Sequence, residues 1–301
     1  MTVNQVVLVD QTHEIDAALL QAAAVALNIQ VTQHLASIWP GVNANVSAAP
    51  TASALPPGAW PVFLVKKLPP GEGGYHLDKK NQPFAKVIAS SDDQTWTIDA
   101  SHEICEMLVD PYGNRMQSSE AITISGSDVI DCPGVFSYLV EACDPCEANN
   151  FGYDIQGIAV SDFITPHFYD SSAAAGVKYS YTGAVTRPRQ LLPGGYISYQ
   201  QADGTWKQIL WVDPSQPPTY NDLSSVSSAR SWREALHLAM GDKLDQAKHA
   251  QRRKAGALPK GSEARVTAYS HRREDEAARE AEIMARYHLA PASAGAHLET
   301  T

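Results

Sequence analysis

The order of apolar segments at the start of the chain constrains the fold more than any other feature. Val6 to Val9 is a short apolar run of strand type. Ile15 to Trp39, rich in Ala and Leu, reads as a long helix that stops before Pro40-Gly41. After a Pro/Ala-rich stretch around Ala48 to Pro57, Pro61 to Lys66 (PVFLVK) has the character of a buried strand. Tyr75 to Ala89 follows, with a turn expected at Asn81-Gln-Pro83 and a strand from Phe84 to Ala89. Asp99 or Ser101 then opens an apolar helix, Ser101 to Val109, which Asp110-Pro111 and Gly113 terminate. The beginning of the chain is therefore α+β, with strands leading into one particular helix.

Beyond residue 150 the texture changes. Phe151 to Trp211 is punctuated by Gly152, Gly157, Gly176, Gly183 and Gly194-Gly195, with Tyr, Val, Ile and Thr between them, and reads as mostly β. Pro214 to Pro218 (PSQPP) resembles a linker. From Val226 onward there are 13 Lys/Arg and 10 Asp/Glu, whereas the whole chain has 23 and 33 and a net charge of -10. That tail reads as two polar helices, about Ser231 to Lys254 and Glu274 to His288. Trp232, Leu236, Ala239, Met240 and Leu244 recur at helical spacing, so the first helix must dock its stripe on something, self-association included. The expected units are 1–150, 151–213 and 214–301.

Composition excludes some functions. The acidic balance argues against a general grip on nucleic-acid phosphates. Met1 to Asp10 has no basic start, and the most apolar stretch, Ala17 to Val31, is interrupted by Gln21, Asn28 and Gln30, so neither a signal peptide nor a spanning helix is expected and a cytoplasmic location is the default. Four cysteines in 301 residues are too few for a disulfide scaffold, and Cys143-Asp-Pro-Cys146 is expected to hold buried or unpaired thiols.

The chemistry concentrates in Ser101-His-Glu-Ile-Cys-Glu-Met-Leu108. On a helix, His102 and Glu106 lie about 40° apart on one face, close enough to bind one metal ion, with Glu103 beside them as a base. The segment resembles the H-E-x-x-H helix of the zincin metallopeptidases, with Glu106 in place of the second histidine. That resemblance implies a zincin-like domain over residues 1 to about 150, a bound Zn²⁺, a peptide or protein substrate, and hydrolysis in which Glu103 activates water. It also implies that Tyr75 to Ala89 contains an edge strand lining the cleft, with Gly73-Gly74 allowing close backbone approach.

Zincins of the gluzincin type take a third ligand, a glutamate, from a helix downstream. Asp131 to Cys143 is expected to be that helix, with Val135, Phe136, Leu139, Val140 and Cys143 as its apolar stripe, Glu141 as ligand and Asp144 as its orienting partner. The reverse assignment of those two, Asp110 and His76 are alternatives. Ser161 to Asp170 carries His167 and Tyr169, and His167 is the candidate donor to the oxyanion. A chain of this fold that does not catalyse would be a binding or assembly protein.

Overall fold

The computed structural model describes residues 3–68, 73–91, 94–224, 226 and 231–239. The fold is α+β. Strand β1 (Asn4–Asp10) buries Val6 to Val9 completely, as a strand covered on both faces must. Helix α1 (Ala17–Ile29) is capped by Asp16, whose carboxylate accepts from the amides of Ala18 and Leu19 at 3.0 and 3.2 Å. Leu20, Ala23, Ala24 and Leu27 form its buried face, and a π-helical turn, Gln30–Leu35, extends it.

Strands β2 (Ala44–Ala49), β3 (Trp60–Val65), β4 (Gly74–Lys79) and β5 (Gln82–Ile88) complete a five-stranded sheet in the order β2-β1-β3-β5-β4. All neighbours are parallel except β4, which pairs antiparallel with β5 and forms the edge. The turn between them is Lys80-Asn81, both at positive φ (55° and 62°), the backbone of a two-residue hairpin. Pro83 lies inside β5, before the pairing with β3 begins at Ala85, so its missing N–H costs that ladder nothing. Helix α2 (Trp96–Val109) starts earlier than its capping signals indicate, because Trp96 itself is packed into the core at 1% exposure.

The second sheet overturns one expectation. Strands β6 (Met116–Ser125) and β7 (Asp128–Leu139) form a long hairpin, so the helix expected over Asp131 to Cys143 is strand through Leu139 and loop beyond it. Val135, counted as part of a buried helical stripe, is 63% exposed. Pro133 marks a bulge: the register shifts at Glu120/Ala121, opposite Cys132 to Val135, where Gly134 adopts φ +120°. A small hairpin of β8 (Tyr153–Ile155) and β9 (Ile158–Val160) follows. β10 (Tyr196–Gln200), β11 (Trp206–Leu210) and β12 (Thr219–Ser224) complete the sheet in the order β12-β11-β10-β7-β6.

One apolar core crosses the expected boundary at residue 150: Val6, Leu27, Val62 and Ile104 belong to the same cluster as Val160, Phe163, Tyr199 and Ile209. Trp39 Nε1 donates to the Ile164 carbonyl at 2.8 Å across that boundary. Residues 232–239 are helical. Leu236 packs with Leu139, Trp206 and Leu223, and Trp232 lies 5.2 Å from Trp206 between ring centroids, so the start of the tail's stripe is spent on the chain's own second sheet. Ala239 is exposed; Met240, Leu244 and the helix expected over Glu274 to His288 lie outside the described residues. Among the described residues no helix is long and apolar enough to cross a membrane.

Candidate metal site

Helix α2 is buried on all sides: of its fourteen residues only Asp99 escapes burial. Its polar residues must therefore find partners inside the protein. Ser101 solves this in a closed set of hydrogen bonds. Its hydroxyl donates to Gln30 Oε1 at 2.9 Å and accepts the Ser161 amide at 2.8 Å, while Gln30 Nε2 donates to the Ser161 carbonyl at 2.9 Å. These bonds tie α1, α2 and the chain after β9 together one residue from His102.

His102 and Glu106 meet as the helical spacing requires, with His102 Nε2 3.2 Å from Glu106 Oε2. The other Glu106 oxygen, Oε1, accepts the amides of Cys143 and Asp144 at 3.0 and 3.3 Å, which aims Oε2 at the imidazole. Asp144 places Oδ1 3.3 Å from the same His102 Nε2. Glu147 joins His102 and Asp144 in a group whose donor atoms all lie within 4.8 Å of one another. Ligand atoms about 2.0–2.1 Å from a tetrahedral ion stand about 3.3 Å apart, and each of the two spacings at His102 is that of a ligand pair on a zinc-sized ion. Burial disfavours a charged His102, but Glu106, Asp144 and Glu103 outweigh it and hold the imidazole well above its usual pKa. Burial likewise opposes the Glu106 anion, and His102, Arg233 and the Cys143 amide outweigh it and keep that carboxyl below its usual range.

The edge strand supplies the other half of the site. His76, on β4, is 3% exposed and its Nδ1 lies 2.8 Å from Glu103 Oε2. Burial, with Arg233 and His102 nearby, pushes His76 well below the usual imidazole pKa, so the contact is a neutral Nδ1–H donating to a carboxylate and not an ion pair. Its Nε2 is buried without a hydrogen-bond partner. Gly74 makes the approach possible: a Cβ there would sit 2.8 Å from Glu103 Oε1 and 3.3 Å from the Lys86 carbonyl.

The remaining sequence candidates separate. Glu141 accepts Arg233 Nε and Nη2 at 2.7 Å each, a bidentate pair. It shares a 4.8 Å group with Glu106 and Asp144, but its oxygens are engaged by the guanidinium. Asp110 accepts the amides of Asn114 and Arg115 at 3.1 and 2.9 Å, closing the turn after α2. His167 is on a surface 3-10 turn, Pro166–Tyr169, its side chain 57% exposed and its Nδ1 2.7 Å from Asp170. Cys105, Cys143 and Cys146 are buried free thiols.

Two residues near the cluster were not singled out by the sequence. Glu147 follows the second cysteine of Cys143-Asp-Pro-Cys146, and the 3-10 turn Asp144–Cys146 folds it back toward His102. Tyr196 opens β10, and burial together with Asp144, Glu147, Glu106 and Glu141 pushes its phenol well above the usual pKa. Gly194-Gly195 was the available signal. A Cβ on Gly195 would lie 2.5 Å from the Asp144 carbonyl, so only glycine lets β10 pack against the loop that carries Asp144. In comparisons with known proteins, no family model, no curated protein and no solved structure matches the chain.

Proposed function

We propose that the protein is a metal-dependent hydrolase on a zincin-like scaffold, with Zn²⁺ as the metal and a peptide bond as the favoured substrate. The observation that carries the reading is the meeting of Glu106 and Asp144 on His102 Nε2 at 3.2 and 3.3 Å in a fully buried setting. His102, Asp144 and Glu147, whose donor atoms lie within 4.8 Å of one another, would hold the ion, with Glu106 beside His102 on the same helix. Asp144 takes the role first given to Glu141, because Arg233 engages both Glu141 oxygens. A bound zinc ion supplies Lewis acidity and lowers the pKa of water toward neutrality.

The chain's own residues do the rest. Glu103, one position from His102 and steadied by His76, accepts the proton of the attacking water at its carboxylate. Tyr196 replaces His167 as the candidate donor to the oxyanion, since its phenol is buried near enough to feel the charge of the carboxylate cluster and His167 is turned to Asp170. Strand β4 ends the first sheet, leaving one edge for an extended peptide to add to, beside Glu103. The order of strand, helix, strands, edge strand and buried helix also supports the likeness.

One observation favours a second reading, a non-catalytic binding or structural protein. His76, His102, Glu103, Glu106, Glu141, Asp144 and Glu147 are all 8% exposed or less. Elemental analysis of protein purified without added metal decides between them. About one zinc per chain, lost in His102→Ala, supports the hydrolase; no zinc even after zinc is supplied overturns it. Glu103→Gln is expected to keep the metal and lose nearly all turnover, and a variant that still hydrolyses at the wild-type rate would remove Glu103 from the mechanism.

A further inference from the structure

The cluster contains more ligands than one ion can use; its candidate ligands fall into four overlapping groups, with Glu106 in three, and two of the four share no member. His102, Asp144 and Glu147 form one, and His76, Glu103 and Glu106 form the other, each with donor atoms within 4.8 Å of one another. Each offers one imidazole and two carboxylates, a nitrogen and oxygen set suited to a borderline divalent ion. Glu106 Oε2 lies between the two histidines, 3.2 Å from His102 Nε2 and 3.7 Å from His76 Nδ1. Its partner oxygen is held by the Cys143 and Asp144 amides, so the carboxylate is fixed with one oxygen facing both imidazoles.

The charge points the same way. Arg233 is held by Glu141 and Asp110. Glu103, Glu106, Asp144 and Glu147 bring four carboxyl groups into a buried space with two imidazoles, a donor set for cations. His76 gives the independent sign of a ligand: a 3% exposed imidazole aimed at two carboxylates, with its other nitrogen buried and without a hydrogen-bond partner.

We propose that His76, Glu103 and Glu106 form a second, weaker site for a zinc-class divalent cation beside the one at His102. The proposal rests on the metal reading of that first site. His76 binds through Nδ1 as its other tautomer, the proton passing to Nε2, so the imidazole stays neutral. The 2.8 Å pair of His76 and Glu103 must open by about half an ångström to admit an ion, and Glu106 is shared, which is why this site is the weaker. An ion here takes Glu103 as a ligand, so the base of the proposed reaction is available only at zinc levels that fill the first site alone.

The test is equilibrium dialysis of the whole chain, stripped with a chelator, against increasing zinc, with bound metal read by elemental analysis. The wild type is expected to bind in two steps approaching two zinc per chain. His76→Gln, which keeps a donor for Glu103 but no imidazole, should bind one zinc with the tight step unshifted, and His102→Ala should lose the tight step. Thermal melts of the stripped variants confirm that they fold, and the wild-type count stands without any variant. Saturation at one zinc, or two zinc retained in His76→Gln, overturns the second site and leaves the first. No zinc in the wild type overturns both.

Discussion

Replacing Arg233 by Met removes the guanidinium that Glu141 and Asp110 share beside the candidate metal site. The guanidinium is 11% exposed and the Glu141 side chain 9%, and they are joined by two bonds of 2.7 Å. Without the guanidinium, Glu141 is a buried carboxylate whose cheapest state is protonated. Burial pushes its pKa well above the usual 4.5 even against the pull of Arg233, so the loss on substitution is at most the full penalty of a neutral buried carboxyl. A carboxyl that must be neutral when folded, yet ionises near 4.5 when unfolded, costs about 1.4 kcal/mol for each pH unit above that value. The sign follows: the penalty is absent below about pH 4.5 and grows as pH rises. The ceiling is about 3.4 kcal/mol at pH 7 and about 0.7 kcal/mol at pH 5. Urea denaturation of chelator-stripped wild type and Arg233→Met at both values measures the loss, with tryptophan fluorescence as the signal. A loss of equal size at the two pH values, or one above that ceiling, would refute the argument.

Other consequences are as direct. Because Glu106, Asp144 and Glu103 hold His102 well above its usual pKa, its imidazole is protonated at pH 7 in the stripped protein, and zinc bound at the proposed site would displace about one proton. Calorimetry in buffers of different ionisation enthalpy should show that release, with zinc affinity falling as pH falls; the same apparent enthalpy in every buffer would contradict it. Gln30→Leu strands the Ser161 carbonyl and removes the acceptor of Ser101, and should destabilise the protein by about 2–3 kcal/mol in denaturant melts. Gly74→Ala drives a methyl into Glu103 at 2.8 Å against the unyielding Lys86 carbonyl, so the first zinc should remain while turnover falls at least tenfold; unchanged turnover would mean Glu103 is not the base.

Much of the first sheet was legible because local signals and burial agreed. Val6 to Val9 is apolar without interruption, and the segment lies in a parallel sheet covered on both faces. The apolar spacing of α1 continues to its π turn because every turn meets the core. Agreement failed at Asp131 to Cys143, where Val135, Phe136, Leu139 and Val140 suit a helical stripe but a bulge at Pro133-Gly134 lets the same residues run as a strand. Spacing in that window does not choose between the two periods; the partner β6 does.

His102 and Glu106 could be paired from sequence alone because a helix turn brings residues four apart together whatever surrounds it. The likeness of Ser101 to Leu108 to an active-site helix depends on that same local geometry. Everything else at the site was decided by tertiary structure. Asp144 reaches His102 from 42 positions away only because Gly195 leaves room for β10 against its carbonyl. Arg233 arrives from the helical residues 232–239 to claim Glu141, and the hairpin of β4 and β5 carries His76 onto Glu103. Contacts of such separation leave no period in the sequence, because they depend on where the sheets and loops place each end.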